Sequence, residues 1–260
     1  MGLQVMNNAI LLLSPVVNVV VTALFAGIVL RQYLQRHRVY QLYWSIGLVM
    51  AFVATLAYVL MIVVGPPSSA GIVFFRVYYI LGGALVSAWL GLGSIALVAS
   101  KQAARICFVG LCVLSVLAAA LIAMAGVNMG ALAHVAGTPG TGILQPGLWL
   151  ITIIILNSLG VLAVVGVAIY SGWKLVRRQS SLGGLSTSNI LWANVLILLG
   201  DLLNGLAGTL ARFLGLESTF WLVMSLGWVL FLAGVLLASQ RSAAKTTATQ
   251  EHNQKEYASS

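Results

Sequence analysis

Charge is what this chain has least of. Only 7% of its 260 residues are Asp, Glu, Lys or Arg, and just 4 of them are acidic. A soluble domain carries about a quarter of its residues as charges to cover its surface, so a water-soluble fold is excluded. Cysteine is scarce too. Cys107 and Cys112 fall five apart in one apolar run, on different helix faces, which argues against a disulfide or a metal site and for small packing residues. His37, His134 and His252 all lie in connections or in the tail, so no pair of axial ligands for a membrane haem is available. No Gly-rich phosphate loop, Cys/His metal spacing or nucleophile elbow occurs. Paired carboxylates are missing as well, because Asp201 is the one acid inside an apolar run. These absences predict a protein that is not an enzyme and that binds no cofactor and no metal.

Apolar residues fill the space that charge leaves. They make up 61% of the chain, and the mean hydropathy is +1.06. A helix crosses a bilayer with about 20 apolar residues. Seven runs reach that length, at roughly 9–30, 40–64, 72–99, 106–126, 147–171, 190–213 and 220–239. They are continuous, whereas a β-barrel would show short alternating strands. The expected fold is therefore all-α: a polytopic seven-transmembrane-helix bundle over 1–241, with a disordered polar tail over 242–260.

The formal charge of +9 would suggest nucleic acid in a soluble protein. Here its distribution points to membrane orientation. Arg31, Arg36 and Arg38 follow the first run, Lys101 and Arg105 the third, Lys174, Arg177 and Arg178 the fifth, and Arg241, Lys245 and Lys255 the seventh. All of these fall on one side, while Arg76 and Arg212 lie at the opposite ends of their runs. The positive-inside rule then puts the amino terminus outside and the carboxyl terminus in the cytoplasm. "MGLQVMNN" carries no side-chain charge, so 9–30 is expected to be a retained helix rather than a signal peptide, and no lipidation motif is present. The bilayer itself is the expected partner, in a bacterial inner (plasma) membrane, with no role for nucleic acid.

Small residues mark helix contacts. Gly83, Ser87 and Gly91 recur four apart in the third run, a spacing that lets two backbones approach closely. A faint repeat also runs through the chain. Asn18, Gly27 and Arg38 match Asn157, Gly166 and Arg177 at one offset, and "LVAS" at 97–100 matches "LLAS" at 236–239 at the same offset. A parallel three-plus-one-plus-three arrangement would produce this, and so would chance likeness between apolar helices. The connection 127–146, rich in Gly with Pro139 and Pro146, reads as irregular: a cover over an entrance or a mobile connector.

The third run, "FFRVYYILGG", resembles the microbial rhodopsins in topology and in its Arg76-Tyr78-Tyr79 step. A rhodopsin would also need a retinal-binding lysine in the last helix, and the seventh run contains none, so the resemblance implies the topology without the chromophore. Through "YWSIGL" (43–48), "FRVYYILGGAL" (75–85) and "NSLG" (157–160) the chain is similar to uncharacterised seven-helix membrane proteins of bacteria. That likeness implies a helical bundle and carries no activity.

One stretch breaks the apolar rule. In "GDLLNGLAGTLARF", Asp201 shares a helix face with Asn194, Asn204, Gly205, Gly208 and Arg212. A one-sided polar stripe in a spanning helix turns toward the bundle interior. Asp201 lies about 17 Å below Arg212, near the midplane, and Asn157 reaches a depth of about 15 Å on the fifth helix, so its amide is expected to reach Asp201. Arg76 sits about 6 Å inside its helix end and is expected to pair near the outer mouth, as Arg212 is with Glu217. The candidate ligand or ion pathway is Asp201, Asn157, Asn204, Asn194, Arg76 and Tyr79. Two functions fit the sequence: a small transporter or ligand-sensing protein with a polar site around Asp201, or a non-catalytic subunit or assembly factor of a larger membrane complex. The first would have a small solute or ion as partner, the second another membrane protein or a second copy of this chain. A hydrogen-bonded packing hub is the bland alternative for the stripe itself.

Overall fold

The computed structural model describes residues 2–179, 188–215 and 217–237. Among them the regular structure is helical. We label the apolar helices α1 (Gly2–Arg36), α2 (Val39–Val64), α3 (Ser69–Val98), α4 (Lys101–Met124), α5 (Leu148–Gln179), α6 (Ser188–Leu214) and α7 (Phe220–Leu237). Six are long and apolar enough to cross a membrane, and the apolar part of the other, α6, is the shorter stretch Trp192–Gly208. Large aliphatic side chains such as Leu24, Val109, Val113, Leu159, Leu162 and Leu226 are exposed around the outside. Water would not tolerate so much continuous apolar surface; lipid does. The chain is built as a multi-pass helical membrane protein. The expected tail and the side chain of Arg212 lie outside the described residues.

Local chemistry sets the helix ends. After α2 the chain meets Gly65, at φ +90°, and then two prolines, which cannot continue a helix. Ser68 starts α3 by accepting a hydrogen bond from the Gly71 amide at 2.9 Å. Gly71 is required there, because a Cβ would collide with the carbonyl oxygens of Gly65 and Pro66. Within α3, Tyr79–Leu85 widens into a π-helical turn, and the Val86 amide bonds Leu81 O, five residues back.

Six of the helices form a ring in the order α1, α2, α3, α5, α6, α7. The neighbours from α1 through α6 pack directly. α6 meets α7 where a Cβ on Gly200 would fall 2.6 Å from the Phe231 amide, and α7 closes on α1 where Phe25 packs edge-on against Trp228 and Phe231. α4 stands outside the ring against α3 and α5. α3 and α5 meet backbone to backbone: a Cβ on Gly160 would collide with the Ser87 backbone, and one on Gly91 would lie 2.8 Å from Gly160 Cα. At Gly83 the atoms nearest to an added Cβ belong to the Tyr79 ring of its own helix, at 3.6 Å, and the contact with α5 is made by its carbonyl oxygen, which accepts from Asn157 at 2.8 Å.

Exchanging α1–α3 with α5–α7 leaves this neighbour order unchanged, as a parallel repeat requires. The matched asparagines do matching work. Asn18 Nδ2 donates to Trp221 O in α7 at 3.2 Å, and Asn157 Nδ2 donates to Gly83 O in α3 at 2.8 Å. Each amide thus ties the first helix of one half to the third helix of the other.

The connection between α4 and α5 is largely irregular, as expected, but it is not loose. It holds a short helix, Met129–Ala133, and closes on itself where the Asn128 amide bonds Ile143 O at 2.8 Å and the Gln145 amide bonds Gly126 O at 2.9 Å. Leu132, Val135, Ile143 and Leu144 are all buried against the bundle. The result is a strap across one end of the ring. Arg36, Arg38, Lys101, Arg105 and Arg177 lie at the other end, exposed.

Candidate functional site

α6 is held on both sides by glycine contacts. Gly205 faces α5, where a Cβ would stand 3.3 Å from Val161, and Gly200 and Asn204 face α7 at Gly227 and Phe231. Asp201 lies between these two directions on the helix wheel, so it turns inward. It is 4% exposed, and its Oδ2 has no hydrogen-bond partner among the described residues. Asn204, one turn on, is half-buried with Oδ1 also unpartnered. Asn194, two turns back on the same face, is half-buried. Gly208, two turns forward, is exposed with nothing within 4 Å of where its Cβ would be. The stripe therefore opens toward the strap end and is closed at Asp201.

Asn157 does not reach Asp201. The Gly205–Val161 contact sets the antiparallel register of α5 and α6, and the two polar residues lie one turn from it in opposite directions. They are separated by about 12 Å along the interface. Counting depth from predicted helix ends missed this, because helix ends do not report the register between neighbours. The Asn157 amide is used on α3 instead. Since a carbonyl can only accept, that bond also fixes the amide orientation and leaves Asn157 Oδ1 as the unpartnered atom.

Arg76 donates from Nη2 to Ala125 O at 3.3 Å, the carbonyl just past the last turn of α4, where a helix end favours a cation. Its Nε is buried without a partner. Tyr79 is buried, with its ring edge-on to Trp149 and packed on Phe75. Both therefore belong to the strap end and not to the level of Asp201. Glu217 accepts a hydrogen bond from the Thr141 hydroxyl of the strap.

Three aromatic side chains fasten the strap. The Tyr58 hydroxyl lies 2.9 Å from Val135 O and 2.8 Å from Thr138 O. Tyr78 donates to Pro139 O at 3.2 Å, and Trp221 Nε1 donates to Thr138 O at 3.3 Å. Their rings pack on one another, with the Tyr58 and Trp221 centroids 4.4 Å apart. The turn carbonyls of Thr138 and Pro139 are thereby paired, and that of Val135 accepts from the Thr138 amide as well.

A second polar cluster escaped the sequence reading. Asn18 and Thr22 are fully buried in α1. Asn18 Nδ2 donates to Ser225 Oγ at 2.7 Å, Thr22 Oγ1 donates to Asn18 O at 2.6 Å, and the hydroxyls of Thr22 and Thr55 lie 3.3 Å apart. The signal was present in the spacing of Asn18 and Thr22, four apart on one helix face. Comparison with protein-family models, with curated proteins and with solved structures finds no match to this chain.

Proposed function

We propose that this protein is a small transporter or ligand-sensing protein of a bacterial plasma membrane, and that its solute occupies the polar face of α6 around Asp201. One observation carries the reading: a carboxylate is buried inside a spanning helix with an oxygen that nothing in the described chain satisfies. Such a group is costly in hydrocarbon and survives where a pathway or a bound solute needs it. Gly208 leaves room on the same face toward the strap end. Orientation follows from charge, with the strap outside and the basic end in the cytoplasm.

The test is gentle purification of the wild type and of Asp201→Asn from native membranes, followed by mass spectrometry of small molecules and proteins that come with each. A small solute retained by the wild type and lost from a folded Asp201→Asn supports the reading. Equal small-molecule content in both overturns it. The second reading, a subunit or assembly factor, is favoured by Gly27, Gly110 and Gly166, which are exposed on the outer surface with nothing within 4 Å of a Cβ position. Close helix contacts of this type would leave one membrane protein, or a second copy, in stoichiometric amount in both preparations.

A further inference from the structure

Among the described side chains, Asp201 has no counter-charge within reach. α7 contains no ionisable side chain from Phe220 to Leu237, and α5 contains none from Leu148 to Ile169. Across the ring, α1 has none over 12–30, α2 none over 44–57 and α3 none over 80–98. On α6 itself the nearest is Arg212, three turns away and about 17 Å along the helix. Arg76 is occupied at the strap end with Ala125 O. No described cationic side chain therefore faces the carboxylate from any helix packed around it.

Among the described residues no hydrogen bond reaches Asp201 Oδ2 either. Asp201 Oδ2 and Asn204 Oδ1 both accept only, and both are buried with no donor. They stand one turn apart on α6, with Asn204 Oδ1 on the side that meets Gly227 of α7. Trp228 Nε1, on α7 with its ring against Phe25, is unpartnered too but neutral. A bare carboxylate in this setting requires a positive charge from outside the chain. A divalent ion does not suit a single carboxylate, because Ca2+ and Mg2+ take several hard oxygen ligands and usually more than one acid.

We infer that Asp201 is the exchange site of a monovalent cation, H+ or Na+, with Asn204 Oδ1 as the second protein oxygen. The inference rests on the polar site proposed above and names the charge that it takes. H+ and Na+ satisfy the same oxygens, so the experiment separates them.

Full-length protein in detergent is melted in NaCl and in choline chloride of equal ionic strength. A Na+ site raises Tm saturably, on the order of 5 °C at a hundredfold excess over Kd, in NaCl alone. Asp201→Asn abolishes the rise, and Asn204→Ser shifts the Na+ titration by about tenfold or more to higher concentration. A proton site shows no Na+ response. Instead, the infrared carbonyl band of a protonated carboxyl disappears reversibly as the buffer is made alkaline, and that band is missing from Asp201→Asn. A wild type with neither response overturns the inference, as does an Asp201→Asn protein that keeps either one. A solute that still co-purifies in an Asp201-dependent manner would then leave the proposed function standing and remove only the cation.

Discussion

At the scale of single residues, the molecule separates glycines that the sequence makes look alike. Gly83 and Gly91 belong to one small-residue series, yet only Gly91 sits where another backbone passes, with Gly160 Cα 2.8 Å from an added Cβ. Gly91→Leu should force α3 and α5 apart and cost about 1–3 kcal/mol or more. Gly83→Ala adds a methyl at ordinary contact distance from Tyr79 and should be close to neutral. Melting both variants in detergent checks the pair; equal losses would show that the α3–α5 contact is not the one described. Nothing in the described chain donates to Asp201 Oδ2. If the carboxylate serves only packing, Asp201→Leu and Asp201→Asn therefore remove no hydrogen bond, and both should melt within about 1 kcal/mol of the wild type.

At the scale of elements, six long apolar helices could be read from the sequence because a bilayer imposes a length that apolar runs either meet or miss, while the apolar part of α6 is shorter than its expected run. The inward turn of the α6 stripe was legible for a related reason: a period of 3.6 residues fixes which side chains share a face. Partners across helices were not legible. Whether Asn157 meets Asp201 or Gly83 depends on which glycine seats against which neighbour, and the run of Gly205 on Val161 has no signature in either helix alone. The π-helical turn at Tyr79–Leu85 was equally hidden. So was the strap, whose Leu132, Val135, Ile143 and Leu144 are too sparse to form a periodic pattern, although all four are buried. Its order depends on three donors from other elements. Removing two of them, in the double variant Tyr58→Phe/Trp221→Phe, leaves the carbonyl of Thr138 without a donor from the bundle. Amide hydrogen exchange over 127–146 should then speed up by tenfold or more, which corresponds to the loss of about 1.4 kcal/mol of local stability. Unchanged exchange there would mean that apolar burial alone holds the strap in place.

At the scale of the whole molecule, two asymmetries share one axis. The ring of α1–α3 and α5–α7 is built from two halves that run in the same direction, so both halves present the same kind of end to each side of the membrane. One end gathers the basic residues that follow α1, α3 and α5; the other carries the strap, where Arg76 is used on a carbonyl and Glu217 on Thr141. By the positive-inside rule the basic end is expected to face the cytoplasm. The consequence can be measured with single cysteines in a background lacking Cys107 and Cys112. Met129 is exposed on the strap and Gln102 is exposed at the basic end. Met129→Cys should react with an impermeant thiol reagent added to intact cells, and Gln102→Cys should react only after the membrane is opened. The reverse pattern would turn the molecule over, placing the open Gly208 face toward the cytoplasm and the basic cluster outside. Reaction at both positions in intact cells would show that the chain inserts in two orientations.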